Sequence, residues 1–193
     1  MRVCVYCSSS SAVDKEFSRA ALELGRTLGE RGHTLVYGGC DIGLMGHVAR
    51  AAHAAGGRVI GVVPRRIKDL GIVYEAADER HDTETMGERK ALMERLSDAF
   101  VALPGGFGTL EETLQVLTLK QLGELDAAVV LVNVLGFYEP LLAFFEELYS
   151  QRFAREGFRA LYHVVESVED ALDHVEHYVP ANLPDKVWGT EEP

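Results

Sequence analysis

The chain lacks any apolar run long enough to cross a membrane. Its 193 residues nowhere approach the ~18 consecutive apolar residues that a spanning helix needs, and the apolar run at residues 3–6 is too short for a signal peptide. Cysteine is scarce as well, because Cys4, Cys7 and Cys40 are an odd number without the spacings of a disulfide framework. These absences predict a cytoplasmic protein with reduced thiols.

Recognisable metal and cofactor motifs are also missing from the sequence. The Cys4-x-x-Cys7 pair has no second pair of ligands for zinc and begins inside a predicted strand, and the seven histidines form no H-E-x-x-H. The glycine-rich stretch 38–46 does not have the spacing of the G-x-G-x-x-G dinucleotide fingerprint. We therefore expect no metal and no organic cofactor.

Positive charge is in deficit, with 19 Lys and Arg residues against 30 Asp and Glu residues and a formal net charge of −11. Nucleic acids and anionic membrane surfaces favour proteins with a basic face, so neither is an expected partner. An anionic ligand would have to be held by local features, such as glycine loops, helix N-termini and a few arginines.

Apolar runs alternate with helical patterns along most of the chain. Most of the strand candidates are continuously apolar, which is typical of a parallel sheet covered on both faces. The sequence predicts an α/β fold of Rossmann type, a doubly wound parallel sheet, with one domain over residues 1–179 and a loose tail over 180–193. The predicted strands are 2–6, 35–37, 58–64, 73–83, 100–103, 127–132 and 162–165, and residues 65–71 are predicted to be a loop.

The stretch Pro104–Glu112 combines a strand end, three glycines and a helix start. Glycines without a Cβ let backbone N–H groups approach a ligand beside the positive end of a helix, which predicts an anion site. The spacing Thr109-Leu110-Glu111-Glu112 fits the S/T-x-x-E capping box, with Thr109 as the N-cap and both glutamates in the first turn. The alternative is a tight turn before a well-capped helix.

Two further loops are predicted to reach the same crevice, because loops that follow parallel strands converge at one edge of the sheet. They are the serine-rich loop at residues 8–11 and the glycine-rich loop at residues 38–46, which precedes a helix predicted over 48–55. For Gly43 and Gly46 close packing of helix on sheet is the favoured alternative to ligand binding.

A basic pair, Arg89 and Lys90, lies near the start of a helix predicted to begin at Glu84. Cations near a helix N-terminus oppose the macrodipole, so an anionic ligand is one explanation for them. A solvated pair beside Glu88 and Glu94 is the other. Since no favourable local partner is evident, we expect Arg89 to contribute little to folding.

The motif P-G-G-x-G-T-x-x-E, complete from Pro104 to Glu112, resembles that of the LONELY GUY family of cytokinin-activating phosphoribohydrolases, often mislabelled lysine decarboxylases. The resemblance extends over ordered blocks across most of the chain, which are residues 4–10, 36–39, 43–46, 89–93 and 136–142. It implies hydrolysis of an N6-substituted adenosine 5′-monophosphate to free base and ribose 5-phosphate, without a cofactor, by a homodimer or larger oligomer.

Carried over by position, the resemblance implies that Arg89 and Glu112 are catalytic. The substrate-binding positions that it implies are Ser8, Ser9, Gly38, Gly39, Lys90, Gly105, Gly106, Gly108, Thr109, Glu111 and Thr118. Gly87, Cys40 and Leu119-Lys120 depart from the family pattern, so plain AMP or another nucleotide is also a possible substrate.

Two other functions are compatible with the predicted fold. A nucleotide-binding or molybdenum-cofactor carrier without catalysis is one, although Arg89 together with Glu112 favours an enzyme. Lysine decarboxylation is the other, and it has little support because none of the five lysines stands in a recognisable Schiff-base setting for pyridoxal phosphate.

Overall fold

The apolar runs form a single seven-stranded sheet in the computed structural model, which describes residues 1–183. Every pair of neighbouring strands is parallel, and the order across the sheet is β4-β3-β2-β1-β5-β6-β7. The predicted doubly wound α/β fold is confirmed. The strands are β1 (Arg2–Tyr6), β2 (Thr34–Tyr37), β3 (Arg58–Pro64), β4 (Glu79–Thr83), β5 (Ala99–Ala102), β6 (Ala128–Val132) and β7 (His163–Val165).

Helices connect successive strands, as parallel pairing requires. They are α1 (Lys15–Glu30), α2 (Gly43–Ala54), α3 (Arg65–Lys68), α4 (Met86–Arg95), α5 (Phe107–Leu122), α6 (Glu139–Ser150) and α7 (Val168–Glu176). Short 3₁₀ turns at Val134–Gly136 and Glu156–Leu161 flank α6.

Two apolar layers bury the two faces of the sheet. Successive side chains of a strand point to opposite faces, so Val3 and Val5 of β1 enter one layer while Cys4 and Tyr6 enter the other. Buried residues of α1, α2 and α7 complete the first layer, and those of α4, α5 and α6 complete the second. Helices α4 and α5 therefore lie on the same face of the sheet.

Several predicted boundaries differ from the structure. Only 79–83 of the predicted strand 73–83 pairs with β3, while Val73 forms an isolated bridge with Cys40. The predicted loop 65–71 contains the single-turn helix α3. Helix α2 begins at Gly43, five residues before the prediction, because the Ser8 carbonyl accepts hydrogen bonds from the Leu44 and Met45 amides at 3.0 and 3.3 Å.

The strand order reverses between β1 and β5. The chain leaves β1 toward β2 and leaves β5 toward β6, so the loops that follow these two strands diverge and open a crevice at the carboxyl edge of the sheet. The two loops are joined by a hydrogen bond of 3.3 Å from the Ser8 amide to the Pro104 carbonyl. The fold thus brings the serine loop and the Pro104–Glu112 stretch together.

The segment after α7 contacts the domain as far as it is described. Leu183 packs against the second apolar layer, whereas residues 184–193 of the predicted tail, Trp188 among them, lie outside the described residues. Within residues 1–183 no helix combines the length and the apolar character that crossing a membrane requires.

Candidate active site

A cavity of about 480 Å³ opens at the carboxyl ends of β1, β2, β3 and β5. Its polar wall comes from the serine loop, the end of β2, helix α4 and the start of α5. Among the residues predicted for the site, those that line it are Ser8, Ser9, Gly38, Arg89, Gly106, Gly108, Thr109, Glu111 and Glu112.

An ion pair between α4 and α5 lies in this cavity. Arg89 Nη1 donates to Glu112 Oε1 at 2.9 Å, and Arg89 Nε donates to the Val62 carbonyl of β3 at 3.1 Å. Both charged side chains are about nine-tenths buried, with 10% and 11% of their surfaces exposed. Arg89 has no partner within its own helix among these contacts, as the sequence indicates, but it has two from other elements of the fold, so we now expect it to contribute to folding.

Side chains of residues at the N-terminus of α4 accept hydrogen bonds from backbone amides there. The helix begins at Met86, not at Glu84, and Thr85 is its N-cap. Thr85 Oγ1 accepts from the Glu88 amide at 3.1 Å, and the Glu88 carboxylate accepts from the Glu84 amide at 3.0 Å. The S/T-x-x-E spacing thus caps α4, with the glutamate accepting from the amide one residue before the N-cap and not from the N-cap amide of a standard capping box.

The Glu112 carboxyl is held between opposing influences. Burial raises its pKa above the ordinary glutamate value, the nearby charge of Glu111 raises it further, and the charges of Arg89 and Lys90 lower it, with the net change upward. Lys90 Nζ itself pairs with Glu111 at the more exposed edge of the site. Two parallel ion pairs therefore join α4 to α5.

Helix α5 begins without a side-chain cap. Its N-cap is Gly106, and Thr109, predicted to be the N-cap, is the third residue of the helix and is buried. The glutamates consequently lie in the second turn, so the predicted capping box is wrong. Gly105 explains the difference, because a Cβ there would lie 2.1 Å from Thr109 Oγ1, and its absence lets Thr109 pack inward.

The open amides of α5 contrast with those of α2. No side chain caps α5, and the first N–H groups of a helix have no partner within the helix. Added Cβ atoms at Gly106 and Gly108 would meet nothing within 4 Å, so this backbone is accessible from the cavity. At α2 the first amides are bonded to Ser8, and a Cβ at Gly43 would meet the Ser9 carbonyl carbon at 2.4 Å, so Gly43 permits a close approach, although to the serine loop and not to the sheet.

Four predicted substrate-binding residues do not line the cavity. Gly105 supports Thr109, Gly39 lies against Val63, and Lys90 is paired with Glu111. Thr118 is exposed and donates its hydroxyl hydrogen to the Leu114 carbonyl at 2.8 Å, about 10 Å along α5 from Glu111. A role for Thr118 in binding rests on the resemblance alone.

An apolar wall also lines the cavity, and sequence reasoning did not identify it. It combines side chains from the loop after β2, helix α2, the end of β3, the segment after β3 and the first residue of α4, which are Ile42, Met45, Pro64, Ile67, Ile72 and Met86. The signal that could have found it is the same convergence of loops that follow parallel strands, applied to β3 as well as to β1, β2 and β5.

Comparison with known proteins identifies close relatives along the whole chain. A family model described as "Possible lysine decarboxylase" matches residues 45–175. The cytokinin riboside 5′-monophosphate phosphoribohydrolase LOG of Oryza sativa subsp. japonica is 43% identical over 192 residues, which is 100% of this chain and 79% of the relative. The LOG5 protein of Arabidopsis thaliana with the same enzyme name is 44% identical over 94% of this chain and 79% of its own length.

Solved structures with the same fold include two molybdenum-cofactor proteins. The molybdenum cofactor carrier protein of Chlamydomonas reinhardtii superposes with a TM-score of 0.70 at 26% identity, covering 91% of this chain and 95% of that one. The molybdenum cofactor binding protein of Rippkaea orientalis gives a TM-score of 0.67 at 20% identity, covering 91% and 94%. The second likeness concerns the fold alone.

The ion pair predicts a stability effect that depends on pH. Arg89→Ala should lower the free energy of unfolding at pH 7 by roughly 2–4 kcal/mol, because a buried carboxylate and the Val62 carbonyl lose their donor. The pKa of Glu112 is already raised in the folded protein, so its protonation favours folding at low pH and this contribution is lost as pH rises through the raised value. Removing Arg89 raises the pKa further, and the loss should therefore be smaller at pH 5 than at pH 7.

Urea unfolding of Arg89→Ala at both pH values measures this. Arg95→Ala is the control, since Arg95 is exposed on the same helix and should change the free energy of unfolding by less than about 0.5 kcal/mol. Equal unfolding midpoints for wild type and Arg89→Ala at pH 7 would contradict the structural role of the pair.

Proposed function

The chain belongs to the LOG (LONELY GUY) family of cytokinin riboside 5′-monophosphate phosphoribohydrolases, and we propose that it hydrolyses the N-glycosidic bond of an adenosine 5′-monophosphate, releasing free base and ribose 5-phosphate. The observation that carries the proposal is the Arg89–Glu112 pair, which lies in a cavity beside the uncapped, glycine-rich start of α5. A charged catalytic pair and an anion site then share one crevice.

The charges suit cleavage of an N-glycosidic bond. The ribose gains positive charge and the departing base gains negative charge in the transition state, so a carboxylate near the sugar lowers the barrier. We assign Glu112 to the ribose side, where it stabilises the cation or activates the attacking water. Arg89 keeps this carboxylate ionised and in place, and positions the substrate.

The start of α5 is the proposed phosphate site. The amides at residues 107–109 have no side-chain cap, and Gly106 and Gly108 leave this backbone bare where it lines the cavity together with Ser8 and Ser9. The hydroxyl of Thr109 joins them as a donor from the same turn. The phosphate thereby fixes the nucleotide relative to Glu112, six residues into the same helix.

The apolar wall is the proposed site of the base and its N6 substituent. Ile67, Ile72 and Met86 offer an isopentenyl-like group an apolar surface within the same cavity. This arrangement supports an N6-substituted substrate, whereas plain AMP would leave part of the surface without a partner.

The other two functions fit the site less well. The family model's description suggests lysine decarboxylation, but within residues 1–183 no lysine lines the cavity, and Lys90 is paired with Glu111. The molybdenum-cofactor carrier of Chlamydomonas shares the fold at 26% identity, and a carrier would not need a buried carboxylate held by arginine. Relatives at 43–44% identity carry the enzyme name.

We also propose a homodimer or larger homo-oligomer that assembles through α5. Phe107, Leu114 and Leu122 expose 93%, 41% and 41% of their surfaces along one side of this helix. Leu141 and Leu142 of α6 are apolar as well, but they are partly buried against the second apolar layer. Three buried free thiols support a cytoplasmic location, which cell fractionation tests. The net charge of −11 supports the absence of a nucleic-acid partner, which a DNA-binding assay tests.

The phosphate site predicts discrimination between nucleotides and nucleosides. Incubation with AMP and isopentenyl-AMP should release free base, measured by chromatography, while adenosine and isopentenyladenosine should react with kcat/KM lower by roughly 10² or more, because several charge-assisted hydrogen bonds are lost. Comparable kcat/KM for nucleosides would show that the start of α5 is not the binding determinant. Absence of base release from every nucleotide would favour the carrier function.

The Glu112 carboxylate is tested by Glu112→Gln. Glutamine keeps the size and the hydrogen-bonding capacity of the side chain but loses the negative charge, so kcat should fall by roughly 10²–10⁴ with the protein folded and substrate still bound. Glu111→Gln, which removes the same charge one residue earlier at the exposed edge, is the matched control and should change kcat far less. Near-wild-type turnover by Glu112→Gln would remove this residue from the mechanism.

The oligomer is tested by a charge on α5. Wild-type protein should sediment as a dimer or larger species, and Leu114→Arg should dissociate it, because a buried unpaired charge opposes association. Leu22→Arg is the control, since Leu22 is comparably exposed, at 46%, on α1 across the sheet. Dissociation by Leu22→Arg with Leu114→Arg unaffected would place the interface on the opposite face.

A further inference from the structure

Gly38 lies where β2 ends, directly against the guanidinium of Arg89. A Cβ on residue 38 would lie 1.8 Å from Arg89 Nη2 and 3.0 Å from Arg89 Cζ, and 2.6 Å from Met45 Cε. The guanidinium therefore occupies the volume that any side chain at position 38 would need. Its backbone φ is not in the left-handed region, so the conformation of the chain does not itself demand glycine here.

The remaining sides of the guanidinium are also defined by the protein. Nε donates to the Val62 carbonyl of β3 at 3.1 Å and Nη1 donates to Glu112 of α5 at 2.9 Å. These two hydrogen bonds orient the guanidinium. Because Gly38 has no side chain, the guanidinium can lie directly against the backbone at the end of β2. The three contacts come from three different elements, so together they fix one position.

We propose that Gly38 is a positioning residue for Arg89, and that the missing side chain at this position holds the guanidinium in line with Glu112. The catalytic consequence rests on the proposed hydrolase function, whereas the physical coupling of positions 38 and 89 does not. The assignment differs from the substrate contact that the resemblance implies for Gly38, because the volume beside Gly38 is already filled by Arg89.

Replacement of Gly38 should displace the ends of two side chains and leave the fold intact. All the atoms that an alanine Cβ would meet within 3.0 Å belong to the ends of flexible side chains, Arg89 and Met45. At Gly43 the equivalent contacts are backbone atoms of Ser9 and Ser10, at 2.4–2.6 Å, which cannot move alone. Gly38→Ala is thus expected to fold with a misplaced guanidinium.

A double-mutant cycle on stability tests the coupling without any assay of activity. Gly38→Ala should lower the urea midpoint of the wild-type protein by more than that of Arg89→Ala, where the guanidinium is absent and only the end of the Met45 side chain has to move. Gly87→Ala is the control, because its Cβ would meet nothing closer than 3.9 Å, and it should leave the midpoint unchanged or raise it. If Gly38→Ala fails to fold, recovery of folding in the double variant supports the proposal equally.

The kcat and the pH–rate profile of Gly38→Ala distinguish a positioning role of Gly38 from a role in stability alone. Gly38→Ala should lose about 10²-fold in kcat, the scale expected for a misplacement near 1 Å. The acidic limb of its pH–rate profile should move to higher pH, because a displaced Arg89 no longer lowers the pKa of Glu112 against the burial and the Glu111 charge that raise it. Gly87→Ala should keep the wild-type limb.

The outcomes separate this inference from the proposed function. Equal effects of Gly38→Ala in the wild-type and Arg89→Ala backgrounds would overturn the positioning role, as would a wild-type kcat and acidic limb in Gly38→Ala. A wild-type protein that releases base from no nucleotide, together with coupling in the stability cycle, would refute the hydrolase function and leave the positioning role standing.

Discussion

The Arg89–Glu112 ion pair is the constraint on which the site depends. It brings together a helix that follows β4 and a helix that follows β5, and it can form only because both helices lie on one face of the sheet with their N-termini at its carboxyl edge. A charged pair with about a tenth of its surface exposed is stable only if its geometry is good and further hydrogen bonds complete it. The Val62 carbonyl accepts the further hydrogen bond from Arg89, so the guanidinium links β3, α4 and α5.

Much of the fold could be predicted because its signals are local. Continuous apolar runs such as 128–132 are strands in any environment that buries both faces, and their alternation with helices permits little except a parallel sheet. The predicted strand 73–83 is too long because β3 begins at Arg58, and the register of Ile60 opposite Glu79 places the first residues of the prediction before the start of β3. The prediction of a capping box at Thr109 was wrong because the pattern S/T-x-x-E is read from four residues alone. It does not show that Gly105 leaves room for the Thr109 side chain to turn inward.

The composition of the site was predicted more completely than its connections. The residues came from motifs that the chain carries intact, but the partner of Arg89 lies 23 positions away on another helix and its second acceptor lies 27 positions away on a strand. Sequence distance hides such contacts, and a basic residue judged by its own helix looks solvated. The apolar wall was not predicted for the same reason, because Ile67, Ile72 and Met86 come from separate segments that share no sequence pattern.

Side-chain charge alone does not make this cavity attractive to a phosphate. Its charged lining residues within the described chain are Arg89, Glu111 and Glu112, one positive and two negative, which sum to −1 in a protein whose net charge is −11. The single lining cation is already neutralised by Glu112. An anion must therefore be held by dipoles, and the uncapped amides of α5 supply them where Gly106 and Gly108 leave the backbone bare. In the proposed hydrolase, binding of the phosphate by these amides would leave Arg89 available to hold Glu112, so that one small crevice could accommodate a dianion beside a carboxylate.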